Sequence, residues 1–150
     1  MLHLHSTMAS ILILNGPNLN LLGTREPAIY GTRSFEDYLA ELRATFSGHT
    51  IDLLQSNVEG ELIDALQAAD TDRDGVVMNA AGYTHTSVAI RDTIAGLRIS
   101  VVEVHISNIH DREEFRERSI TGAKCAGVIT GFGLEGYRIA IEHLLRRGAK

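Results

Sequence analysis

The sequence predicts an α/β fold: one open parallel sheet of five strands in the order 2-1-3-4-5, with helices on both faces. Three observations carry this. Five short apolar runs are spaced along the chain, each is followed by a helical pattern or a polar turn, and the length of 150 residues suits one domain. That strand count and length fit the shorter doubly wound order better than a full dinucleotide-binding fold.

The elements follow in order. "ILILN" (Ile11–Asn15) reads as the first strand. Ser34 caps a helix in which Phe35, Leu39, Leu42 and Phe46 recur at helical spacing. Thr50–Gln55 is the second strand. Asn57 then caps a helix with Val58, Leu62, Ile63 and Leu66 on one face. Gly75–Ala80 is the third strand, and His85–Gly96 a helix closed by its glycine. Ile99–Ile106 is the fourth strand, and "DREEFRER" gives about two turns of helix. Ala126–Gly131 is the fifth strand. The last helix, "GLEGYRIAIEHLLRRG", carries arginines in its final turn, where they suit the helix dipole. This alternation is the flavodoxin-like three-layer sandwich. Residues 1–10 read as a loose N-terminal extension and 11–150 as a single domain.

Composition excludes several classes. The net charge is −5 with no basic block, which argues against nucleic-acid binding. No apolar run approaches the ~18 residues of a membrane span. The start, "MLHLHSTMAS", is too short and polar for a signal peptide, and His3 and His5 fall in it. Cys125 is the single cysteine, which fits a reducing cytoplasm. His85, His105 and His110 lack the H-x-x-x-H spacing of a helical zinc site, so no metal is expected.

In this architecture ligands bind beyond the carboxyl ends of the strands. "GFGLEG" (Gly131–Gly136) matches G-x-G-x-x-G, but no later strand carries the ribose-binding acid, so it reads as a tight turn. A phosphoacceptor needs an aspartate where this chain has Asn79. A flavin phosphate loop wants Ser/Thr-rich turns where it has "GPNLN".

The segment after the first strand, "NGPNLNLLGTREPAIYG", far exceeds the ~2–6 residues usual for such a turn. It carries Arg25 and Tyr30. A phenol is a poor base at neutral pH, and a fixed guanidinium favours the phenolate, so the pair suits proton abstraction from carbon. His105 ends the fourth strand two residues after Glu103, and side chains two apart on a strand point the same way. Glu103 can therefore orient the imidazole and keep it protonated as a general acid. Asn79, His85, Ser107 and Arg116 are groups suited to a hydroxylated acid, and Asn18 to a water or oxyanion.

Taken together, "NGPNLNLLGTREPAIYG", "NAAGYTHTS", "EVHISN" followed by "REEF", and "GFGLEGY" resemble type II 3-dehydroquinate dehydratase, from Ile11 to the last helix. The resemblance implies dehydration of 3-dehydroquinate to 3-dehydroshikimate by anti elimination through an enolate, in the shikimate pathway or quinate catabolism. It implies no covalent intermediate, metal or cofactor. Tyr30 would take the C2 proton, activated by Arg25; His105, backed by Glu103, would protonate the departing C1 hydroxyl; Asn18 would hold a water on the enolate oxygen. Asn79, His85, Ile106, Ser107 and Arg116 would bind substrate. Asp92 would reach a neighbouring subunit's site within a homododecamer of four trimers. The long segment, about 19–33, would be a lid. The scarcity of lysine agrees, since the unrelated type I enzyme uses a lysine imine and only Lys124 and Lys150 are present here. A noncatalytic binding module of the same fold would need the pocket residues but neither Arg25–Tyr30 nor Glu103–His105. Another lyase acting on a related hydroxy acid would differ in substrate preference.

Overall fold

The computed structural model describes residues 7–24, 27–30 and 32–148. Its centre is a five-stranded sheet, β1 (Ser10–Asn15), β2 (Thr50–Gln55), β3 (Gly75–Asn79), β4 (Ser100–His105) and β5 (Gly127–Thr130). All four pairings are parallel and the order is β2-β1-β3-β4-β5, as the alternation of elements predicts. The helices are α1 (Pro27–Tyr30), α2 (Phe35–Thr45), α3 (Glu59–Asp72), α4 (Val88–Gly96), α5 (Glu114–Glu117) and α6 (Glu135–Gly148).

Period-two alternation divides the core between the two faces. Ile11, Ile13, Val77, Val102 and Val104 pack with Leu39 and Leu42 of α2 and Tyr137, Ile141 and Leu144 of α6. Leu12, Leu14, Val76, Met78 and Val101 pack on the other face with Leu62 and Leu66 of α3 and Ile90 and Ile94 of α4. β1, β3 and β4 are buried on both faces, which is why they read as continuous apolar runs. β5 is an edge strand, and Val128 on it is exposed.

Several local expectations need correction. β1 begins at Ser10, paired with Thr50, so that residue belongs to the sheet and not to a loose extension. Ser34 does cap α2, accepting from Asp37 N. Asn57 does not cap α3. The N-cap position is Val58, which is exposed, while Ser56 Oγ accepts from Val58 N. Asn57 Oδ1 instead accepts from Asn18 N and Gln55 Nε2. α4 starts at Val88, capped by Ser87 Oγ on Ile90 N, and His85 belongs to the preceding 3-10 turn Ala81–His85. Gly96 is the last helical residue and extended Leu97 follows it, so the helix has no left-handed glycine stop. "DREEFRER" yields one turn, α5, after a separate 3-10 turn Ile109–Asp111; Asn108 Oδ1 accepts from His110 N there and competes with a longer helix.

Candidate active site

The loops at the carboxyl ends of β1, β3 and β4, together with α5, enclose a cavity of about 550 Å³. Its walls include Asn18, Asn79, His85, His105, Ile106, Ser107 and Arg116, so seven of the residues singled out in the sequence converge there. The first and third loops press backbone on backbone. Gly16 N donates to Asn79 O at 2.7 Å, and a Cβ on Gly16 would lie 2.6 Å from Ala80 O, so only glycine fits. Among the described residues, the non-glycine positions with positive φ are Asn18 (69°) and Ala81 (52°), and both line the cavity. Such backbone costs about 1–3 kcal/mol where it is not a relaxed turn and concentrates at functional sites.

His105 and Glu103 form the buried base of the site. They share the β4 face that packs toward α4, as their spacing predicts. His105 Nε2 lies 2.9 Å from Glu103 Oε2, and the glutamate is fully buried. Burial alone would raise the Glu103 carboxyl. The hydrogen bond and charge of His105 outweigh it, with help from Ser119 and Thr121, and the group is held below the ordinary carboxylate range. Glu103 is therefore ionised and accepts, His105 Nε2 carries the hydrogen, and Nδ1 is the ring nitrogen left for a ligand.

His85 is fixed differently. Its Nδ1 lies 2.8 Å from the carbonyl oxygen of Arg118. A carbonyl only accepts, so Nδ1 carries the hydrogen and Nε2 is left to meet a ligand. Asn79 is buried: Oδ1 accepts from Ala81 N at 3.1 Å and Nδ2 donates to Tyr137 Oη at 3.0 Å, which leaves one amide hydrogen. Tyr137 in turn donates to Asn15 Oδ1 at 2.8 Å, and burial drives its phenol far above the usual range. Arg116 Nε lies 3.4 Å from Glu113 Oε2 at the rim.

The remaining sequence candidates do not join this constellation within the described residues. Arg25, His3 and His5 lie outside them, as does the side chain of Tyr30, whose backbone ends α1. Asp92 is exposed on α4 and does not line the cavity. Sequence reasoning passed over Asn108, Asp111, Arg112 and Glu113, which also line it. Asn108 closes "HISN", and the signal for the other three is the charged run after it, which reads as helix. Tyr137 was missed because it looks like a core position of α6.

A family model described as dehydroquinase class II matches residues 9–145. A 3-dehydroquinate dehydratase of Bacillus pumilus is 52% identical over 143 residues, 94% of this chain and 97% of the relative. A catabolic 3-dehydroquinase of Aspergillus oryzae is 50% identical over 137 residues, 90% of each chain. The crystal structure of a type II dehydroquinase from Butyrivibrio crossotus superimposes with a TM-score of 0.86 at 45% identity, covering 91% of this chain and 97% of that one.

Proposed function

This chain belongs to the class II dehydroquinase family, and from that premise we propose how its cavity dehydrates 3-dehydroquinate to 3-dehydroshikimate. The observation that carries the reading is the buried Glu103–His105 pair opening onto a polar cavity of about 550 Å³, a volume suited to one small polyhydroxylated acid.

Tyr30, as phenolate beside Arg25, removes a proton from C2. The electron pair passes to the C3 carbonyl, and the resulting enolate oxygen is met by a water on Asn18. When the carbonyl re-forms, the C1–C2 double bond forms and the C1 hydroxyl leaves on the opposite face, taking a proton from His105 and departing as water. Glu103 stays ionised and favours the imidazolium that gives this proton. His85 Nε2 and the free Asn79 amide hydrogen meet substrate hydroxyls, while Ile106, Ser107 and Arg116 receive its carboxylate end.

Residues 19–33 act as a lid that brings Tyr30 over the substrate and excludes water. Asp92, with the exposed Val88 on the same helix, faces a neighbouring subunit's site in a homododecamer. A single cysteine supports a cytoplasmic location; among the described residues, no helix is long and apolar enough to cross a membrane.

The test is direct. The purified chain is mixed with 3-dehydroquinate and conjugated-enone absorbance is followed, with His105→Ala as the control. Rising absorbance that the control lacks is expected. No rise in the wild type, or equal rates in both proteins, overturns the reading.

A further inference from the structure

We propose that residues 118–122, the strap between α5 and β5, form one positioning device that sets the orientation of both cavity imidazoles; this rests on the reading of His105 as the acid. Its atoms reach the two rings by separate routes. On one side, Ser119 Oγ donates to Glu103 Oε2 at 2.6 Å and Thr121 Oγ1 donates to Glu103 Oε1. With His105 Nε2 at 2.9 Å, both carboxylate oxygens are engaged and the plane of the group is fixed. On the other side, the carbonyl of Arg118 accepts from His85 Nδ1 at 2.8 Å.

The strap is itself pinned. Ile120 N and Thr121 N both point at Thr84 O, at 2.9 and 3.4 Å, so it is tied to the residue next to His85. Ser119 Oγ accepts from Gly122 N at 2.8 Å, which leaves its hydrogen directed at the carboxylate. Gly122 completes the fit: a Cβ there would lie 2.7 Å from Glu103 Oε2 and 2.8 Å from Ser119 Oγ, so a larger residue would push the carboxylate out of place. Thr121 is fully buried, and its hydroxyl spends its hydrogen on Glu103.

The physical consequence follows from where the shared proton sits. Two hydroxyl donors lower the basicity of the glutamate and keep the hydrogen between Glu103 and His105 on the ring. Without them the carboxylate becomes the better base, the proton moves toward it, and the imidazole loses the charge that makes it an acid. Neither Ser119 nor Thr121 lines the cavity. They are positioning residues, so turnover changes while substrate affinity does not.

The experiment compares wild type, Ser119→Ala, Thr121→Val and Thr121→Ser. Steady-state kinetics with 3-dehydroquinate are measured alongside ¹⁵N NMR of the histidine rings. Thr121→Val keeps the shape and removes the hydroxyl; Thr121→Ser keeps the hydroxyl. We expect kcat to fall about tenfold or more in Ser119→Ala and Thr121→Val, with KM within about twofold, the His105 ring signals moved toward the neutral form, and both readouts restored in Thr121→Ser. Unchanged ring signals and kcat overturn the proposal, as does an equal loss in Thr121→Ser. A KM rise without a kcat fall also overturns it. Where Thr121→Val fails to fold, Ser119→Ala at its partly exposed site decides by the same criteria. The NMR readout needs no turnover: a wild type without dehydratase activity defeats the proposed function, whereas unmoved ring signals defeat the strap.

Discussion

On the floor of the cavity, buried side chains direct their hydrogen bonds at one another. Asn15, Tyr137 and Asn79 form a chain across the sheet, and Glu103 is held by His105, Ser119 and Thr121. The described residues of the segment 19–33 are held in another way. Leu19 and Leu22 root the segment in the core, and Gly23, at φ +94°, packs so closely on Thr32 O that a Cβ would come within 2.8 Å. Beyond that clasp, Pro27 and Ala28 are exposed, and α1 is a single turn. The floor is thus held by side-chain hydrogen bonds, and the described part of this segment by two apolar anchors and a backbone contact. In the proposed mechanism the acid, His105, belongs to the first kind of structure and the base, Tyr30, to the second.

Each region carries a tyrosine, and the same substitution separates them. Tyr30→Phe removes the proposed base. We expect kcat to fall by about 10²–10⁴, or about 2.7–5.5 kcal/mol in the barrier, with KM and the melting temperature unchanged. A variant that keeps more than about a tenth of wild-type kcat removes Tyr30 from the chemistry.

Tyr137→Phe tests the floor and reads out as stability. It strips partners from Asn15 Oδ1 and Asn79 Nδ2, both buried. An orphaned buried polar group costs about 1–3 kcal/mol, and a domain of this length loses about 2–4 °C in Tm for each kcal/mol. Calorimetry checks the value. A Tm within about 1 °C of wild type shows that water replaces the hydroxyl and that the floor is less rigid than its geometry states.

The same division explains what was legible in the sequence. Strands with runs such as "ILIL" and "SVVEV" declared themselves because both their faces are buried, and Glu103–His105 followed from the two-residue period alone. The cavity residues were found where a strand end fixed the place to look. What escaped were partnerships across long stretches of chain. Tyr137 meets Asn15 across 122 residues, and Ser119 and Thr121 meet Glu103 across 16 and 18; no local pattern announces these. Asn57 was misread for a related reason. Its local chemistry suits a helix cap, but holding Asn18 N at 3.0 Å uses the same oxygen. Arg25 and Tyr30 were singled out by the length of their segment and by resemblance, not by contacts.

The smallest expected effect concerns a third region, α4, whose buried side, Ile90 and Ile94, packs on the sheet while Val88 is 58% exposed. Asp92 is also exposed and lies away from its own chain's cavity. If a neighbouring subunit covers this side, Asp92 orients a substrate-binding group there, and the comparison becomes one of floor, lid and a wall supplied by another chain. Asp92→Ala then raises KM several-fold, within the roughly 1 kcal/mol expected of one partly exposed charge, and leaves kcat nearly unchanged, because no proton moves through it. Light scattering on the same samples separates the two ways of losing affinity. An intact assembly with a raised KM assigns the loss to the missing carboxylate, and a dissociated one assigns it to the interface. A normal KM in an intact assembly gives Asp92 no part in a shared site. A wild type that turns over as a monomer removes the third wall altogether.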